Sequence, residues 1–160
     1  MRKENYILAI ARIAMGWIFL WTFLDKNFGL GLSTLREKSW LAGNSPTSGF
    51  LTSIKGPFAF FYNNLAGNIF VDWLFMIGLL LIGISLILGV FNKLATYSGS
   101  LLMLLMYAAV IPIKNNPLVD EHIIYLLTLL LLNFFRAGDY FGLRKKWAKT
   151  SFVKRFKFFE

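Results

Sequence analysis

Four long apolar runs decide most of what this chain can become. They occupy residues 6–25, 70–91, 94–112 and 117–137. Each is long enough to cross a bilayer, which takes about 20 helical residues. Backbone inside lipid must satisfy its own N–H and C=O groups, so such runs fold as helices. Composition agrees. Of 160 residues, 57% are hydrophobic and 16% charged, against about 25% charge in a soluble domain. Mean hydropathy is +0.59. The first run follows Met1-Arg2-Lys3 but exceeds the roughly 7–15 apolar residues of a signal-peptide core. No small-residue cleavage site follows it, so the expectation is a retained helix. The predicted fold is all-α: an integral membrane four-helix bundle, up-down-up-down, over 1–142, with a basic amphipathic cytoplasmic tail over 143–160.

Charge predicts the orientation. With both termini and the turn at Asn92–Lys93 on one side, that side holds eleven basic residues against Glu4, Asp139 and Glu160. The other side holds five basic and five acidic residues. The positive-inside rule then places both termini in the cytoplasm and the protein in the inner membrane. The net charge of +9 reads as a topology signal, not as nucleic-acid binding.

The first two runs are joined by roughly 44 residues, Lys26 to Ile69, on the outer side. A connection this long is usually functional. It carries Phe58, Phe60, Phe61 and Tyr62, which suits short helices at the membrane surface or over the bundle mouth. Two readings stay open: aromatic anchoring at the interface, or a lid over a lipid-soluble ligand. Asn116 and Pro117 predict the start of the fourth helix, as N-cap and first helical residue. Arg136 and Gly138 predict its end. The tail from Leu143, RKKWAKTSFVKRFKFF, alternates basic and aromatic residues and suits an anionic leaflet.

Polar residues fall into two layers. Arg12 shares a helical side with Ala9 and Gly16, and a charge in a span turns inward because lipid exposure is costly. Ser85, Ser100 and the stretch Thr128 to Asn133 lie at comparable depth, and could satisfy it together with backbone carbonyls. Arg12 either snorkels to the inner headgroups or holds an anion or a quinone carbonyl. The outer layer comprises Asp25, Lys26, Asp72, Asp120, Glu121 and His122. Acids in a first helical turn suit the helix dipole without further purpose. His122, beside two acids and three residues before Tyr125, can exchange protons near neutral pH. Trp17 and Trp21 continue one helical stripe to Asp25. No HxxE or HxxxH spacing is present, so no metal is expected. The chain has no cysteine, which excludes disulfides, a thiol nucleophile, CxxCH haem attachment and cysteine-ligated iron–sulfur clusters.

The segments WIFLWTFLDKNFGLG (17–31), NSPTSGFL (44–51), KGPF (55–58), VDWLFMIGLLLIGISLILG (71–89) and NNPLVDEHIIY (115–125) resemble the DoxX-like family of small four-helix membrane proteins. The resemblance implies association with respiratory or redox membrane complexes. One branch includes the large subunit of a thiosulfate:quinone oxidoreductase. The family implies no agreed catalytic set. Two hypotheses follow. In the first, the chain is a quinone-linked oxidoreductase or a subunit of one. His122 with Asp120 or Glu121 moves protons, Asp25, Lys26 and Asp72 receive substrate, and the aromatic loop with Trp17 and Trp21 borders a quinone. In the second, it is a non-catalytic membrane anchor or assembly partner for a soluble enzyme. Small-residue faces such as Ser85–Gly89 leave homo-oligomers open.

Overall fold

A computed structural model describes residues 3–113, 116 and 118–156. It is all-helical, with no strand among the described residues. Three helices are long and apolar enough to cross a membrane: α1 (Lys3–Phe28), α4 (Ile69–Leu88) and α5 (Asn92–Val110). Between α1 and α4 lie a 3-10 turn (Arg36–Lys38), α2 (Ser48–Ser53) and α3 (Ala59–Asn63). After α5 come α6 (Glu121–Phe134), a 3-10 turn (Ala137–Asp139), α7 (Arg144–Trp147) and α8 (Ser151–Arg155). α1 packs along α4 and α5 along α6, with α4 against α5 and α1 against α6.

The closest crossing needs glycine. A Cβ on Gly83 would lie 2.7 Å from Leu20 N, and one on Gly16 would lie 2.9 Å from Gly83 O. Backbone therefore meets backbone where α1 crosses α4, as small residues allow between helices in lipid. The core beside this crossing is Met15, Phe19, Met76, Leu79, Ile82, Leu86, Leu129 and Leu132, all buried. Ile7, Ile10, Leu74, Leu81, Leu101 and Leu104 point outward and are exposed. Apolar exposure on this scale marks a surface made for something other than water.

Helix ends differ from the sequence expectation in three places. α4 stops at Leu88, with Gly89 left-handed at φ 71°. Phe91 is also left-handed, at φ 50°, and α5 starts at Asn92. The turn is thus Gly89–Phe91, and Asn92–Lys93 belongs to the first turn of α5. The fourth run is shorter as regular helix than the expected 117–137. α6 has 14 residues, about 21 Å at ~1.5 Å each, against a hydrocarbon layer of roughly 30 Å. Asp120, not Asn116, is its N-cap, because the Asp120 carboxylate accepts the N–H groups of His122 and Ile123. Asn116 instead takes Leu118 N and Val119 N in a turn of its own, and Pro117 lies outside the described residues. At the far end Arg136, not Gly138, adopts the left-handed conformation, at φ 48°.

The first part of the tail docks on the bundle. Leu143 N donates to Leu88 O at 2.8 Å, Trp147 lies 4.5 Å from the Phe91 ring and Val153 is buried. Lys157–Glu160 lie outside the described residues.

Candidate functional site

The loop between α1 and α4 covers one end of the bundle. Leu51, Ile54 and Tyr62 form a second buried cluster with Ala109 of α5, flanked by Phe50, Leu65 and Val71. Tyr62 Oη donates to Leu105 O at 2.7 Å, which ties α3 to α5. Under this cover is an apolar cavity of about 250 Å³, with walls from α1 (Thr22, Lys26), α2 (Phe50, Leu51), α3 (Tyr62), α4 (Val71, Phe75) and α5 (Leu102, Leu105, Met106). Small-molecule pockets usually run from roughly 300 to 1,000 Å³, so this one suits a single-ring group. A more polar cleft of about 500 Å³ lies beside it, lined by Ser33, Thr34, Lys38, Asn44, Ser45 and Ser48. Lys26, Pro46 and Phe50 belong to both. Lys26 thus stands where the apolar and polar spaces meet. Its Nζ donates to Pro46 O at 3.2 Å, the one hydrogen-bond acceptor it has among the described residues. An ammonium has three N–H donors.

The other expected members of the outer layer have structural work. Asp25 is buried and accepts Leu32 N, Ser33 N and Ser33 Oγ. It folds the chain back immediately after α1. Asp72 is buried and accepts Ser45 Oγ and Thr47 Oγ1, which pins the loop to the first turn of α4. Asp120 lies 2.6 Å from His122 Nδ1. Burial alone would raise the Asp120 carboxyl. The His122 ring and the N–H groups of Ile123 and His122 outweigh it and hold the carboxyl below its ordinary value. When Nδ1 carries the His122 proton, Nε2 is the ring atom able to accept another. Ligand atoms of Asp120, Glu121 and His122 lie within 4.8 Å of one another, but both Asp120 oxygens are already engaged. Among the described residues no hydrogen bond or ion pair joins Asp25, Asp72 and Asp120 to one another. The His122 group also lines neither of the two spaces around Lys26.

Arg12 differs from both expectations. It is 1% exposed, so it does not snorkel. Among the described residues its partners are backbone carbonyls, without Ser85, Ser100 or the polar residues of α6. Nη1 donates to Leu86 O and to Ile87 O, the latter at 2.9 Å. Nη2 donates to Tyr140 O at 3.2 Å and Phe141 O at 3.1 Å. Four of its five N–H donors are spent on joining α1, the end of α4 and the segment that leads into the tail. Trp17 and Trp21 stack at 5.6 Å, with Trp17 half exposed on the outer face of the bundle. Neither lines the cavity. Tyr125 packs on the main core.

Of the expected site residues, the cavity includes Lys26 alone. Tyr62 comes from the aromatic loop read as a lid, whereas Thr22, Phe50, Phe75 and Met106 were not expected there. One signal for them was present: Thr22 and Lys26 share a helical side at i, i+4. No family model matches the chain, and no curated protein or solved structure is significantly similar to it.

Proposed function

We propose that this chain is an integral membrane protein of the DoxX-like type. Its four main helices run up-down-up-down, with both termini in the cytoplasm, and it serves a quinone-linked oxidoreductase or respiratory complex as a subunit. The observation behind the proposal is the cavity under the outer loop, apolar within and meeting a polar cleft at Lys26. A quinone is an apolar ring bearing hydrogen-bond acceptors, and the residues fit it. Phe50, Phe75 and Met106 would border the ring, and the spare Lys26 donors would reach a carbonyl. The quinone supplies the electron-accepting chemistry when bound. The chain's part is to exclude water, orient the ring and offer a proton at Lys26 Nζ. Without cysteine in the sequence, electrons are assigned to a partner subunit carrying its own redox group. His122 and Asp120 stand outside this pocket, with Asp120 as the N-cap of α6 and His122 hydrogen-bonded to it.

The test is a titration of the purified protein in detergent with a short-chain ubiquinone analogue, followed by quenching of tryptophan fluorescence. Saturable quenching is expected, with Lys26→Met weakening it about tenfold and His122→Ala leaving it unchanged. A lost charge-assisted hydrogen bond of ~1.5 kcal/mol gives that factor. Absence of saturation, or equal affinity in Lys26→Met, removes the quinone reading and leaves a membrane anchor or assembly partner.

A further inference from the structure

We propose a second site, at the opposite end of the bundle, for the phosphate of an anionic phospholipid. A cleft of about 220 Å³ lies between the start of α5 and the end of α6. Lys93, Arg136 and Arg144 line it, from three separate segments. Lys93 and Arg136 are exposed, and Asp139 Oδ1 orients Arg144 at 2.5 Å from its Nη1. Among the described residues, three cations gather here against this one acid.

Two further observations point to an anion. The cleft adjoins the N-terminus of α5, a helix of 19 residues whose N-cap residue, Phe91, makes no side-chain cap. Among the described residues no side chain accepts the first-turn N–H groups, so these and the positive end of the helix dipole favour an outside acceptor. Asn92 also lines the cleft, is 7% exposed, and its Nδ2 is buried with no hydrogen-bond partner among the described residues. That nitrogen lies against Gly138, where a Cβ would approach it to 1.9 Å. A buried amide without an acceptor is costly, and Gly138 lines the same cleft. A phosphate oxygen between Lys93 and Gly138 supplies the acceptor.

The surroundings select a lipid over a soluble phosphate. Phe134, on the cleft wall, is 79% exposed. Tyr97, Leu101 and Leu104 follow Lys93 at i+4, i+8 and i+11 along one side of α5, and all three are exposed. A phosphate held at Lys93 therefore has apolar helix surface beside it for acyl chains. This is also the end that gathers most of the chain's positive charge.

The experiment uses the full-length protein, delipidated in maltoside detergent, and native mass spectrometry. Phosphatidylglycerol and phosphatidylcholine of identical chains are titrated in parallel. One phosphatidylglycerol is expected to bind saturably, at least tenfold tighter than phosphatidylcholine. Each basic residue near an anionic lipid surface contributes about fivefold, so Lys93→Gln with Arg136→Gln lowers affinity roughly 30-fold. Lys38→Gln with Lys55→Gln, at the loop end, leaves it unchanged. If the double variant fails to fold, Lys93→Gln alone gives the fivefold readout. Equal binding of the two lipids, or wild-type affinity in the variants, overturns the site. Displacement by millimolar inorganic phosphate assigns it to a soluble anion and overturns the lipid reading.

Discussion

Arg12→Leu is the substitution whose effect the structure specifies most closely. The leucine fills much of the same space but removes all four hydrogen bonds to Leu86, Ile87, Tyr140 and Phe141. Hydrogen bonds from a charged donor contribute about 1.5–3 kcal/mol each, so the lower end gives a loss of about 6 kcal/mol. Against this, the wild-type protein holds a guanidinium out of water with no counter-ion among the described residues, which costs several kcal/mol that the variant recovers. A net destabilisation of about 3 kcal/mol remains. For a chain of this size each kcal/mol moves Tm by about 2–4 °C, so a fall of about 6–12 °C is expected. Arg12→Lys should fall between the two, because an ammonium lacks the planar fork that spans both carbonyl pairs. The assay is thermal unfolding in detergent by tryptophan fluorescence, with limited trypsin digestion in parallel. Loss of the bonds to Tyr140 and Phe141 frees the tail, so cleavage at Lys145 and Lys146 should precede unfolding of the spans. An Arg12→Leu protein as stable and as protease-resistant as wild type refutes the view that this arginine is a structural clasp.

Three other outcomes are open to direct measurement. Gly83→Leu should destabilise by about 3 kcal/mol or more, because its Cβ meets Leu20 backbone at 2.7 Å, whereas Gly78→Ala, with nothing within 4 Å, should be tolerated; equal Tm values for the two would sink the close-crossing argument. The Asp120 carboxyl is held below its ordinary value in the folded protein, so the unfolded chain binds more protons in acid. Its contribution is present above the unfolded value of about 3.9 and is lost as pH falls through the folded one. Unfolding scans from pH 6 to pH 3 should show a steeper acid loss in wild type than in Asp120→Asn, and parallel curves would contradict this. Asp72→Ala should strip Ser45 and Thr47 of their shared acceptor, loosening the outer loop by about 1–3 kcal/mol. Faster proteolysis at Lys38 and Lys55, with the spans intact, is the expected readout.

Much of the scaffold was legible because hydropathy acts locally. The runs at 6–25, 70–91 and 94–112 became α1, α4 and α5 with ends displaced by a few residues, since twenty apolar residues in lipid have few alternatives to a helix. The ends themselves were less legible. Gly89 was available as a stop, yet Phe91 and Arg136 took left-handed conformations that their residue types do not announce. Phe91 is held there against Trp147, from a segment more than fifty residues later. The candidate site was legible only in pieces. Six polar residues at one end of the bundle looked like one layer because helical rise gives depth but not azimuth.

What the sequence determined alone is the helical content, the presence of runs long and apolar enough to cross a membrane, and the net positive charge. These are sums over residues, and no packing can reverse them. Which polar groups were free for chemistry was decided by tertiary structure. Asp25 and Asp72 are consumed by hydroxyls and N–H groups of a loop that folds back on them. Arg12 is consumed by carbonyls from two distant segments. Lys26, one residue after Asp25 and turned toward another neighbour, keeps donors to spare at the edge of an apolar cavity. A partner tens of residues away in sequence decides whether a charge is spent on structure or keeps donors free, and that distance closes only on folding.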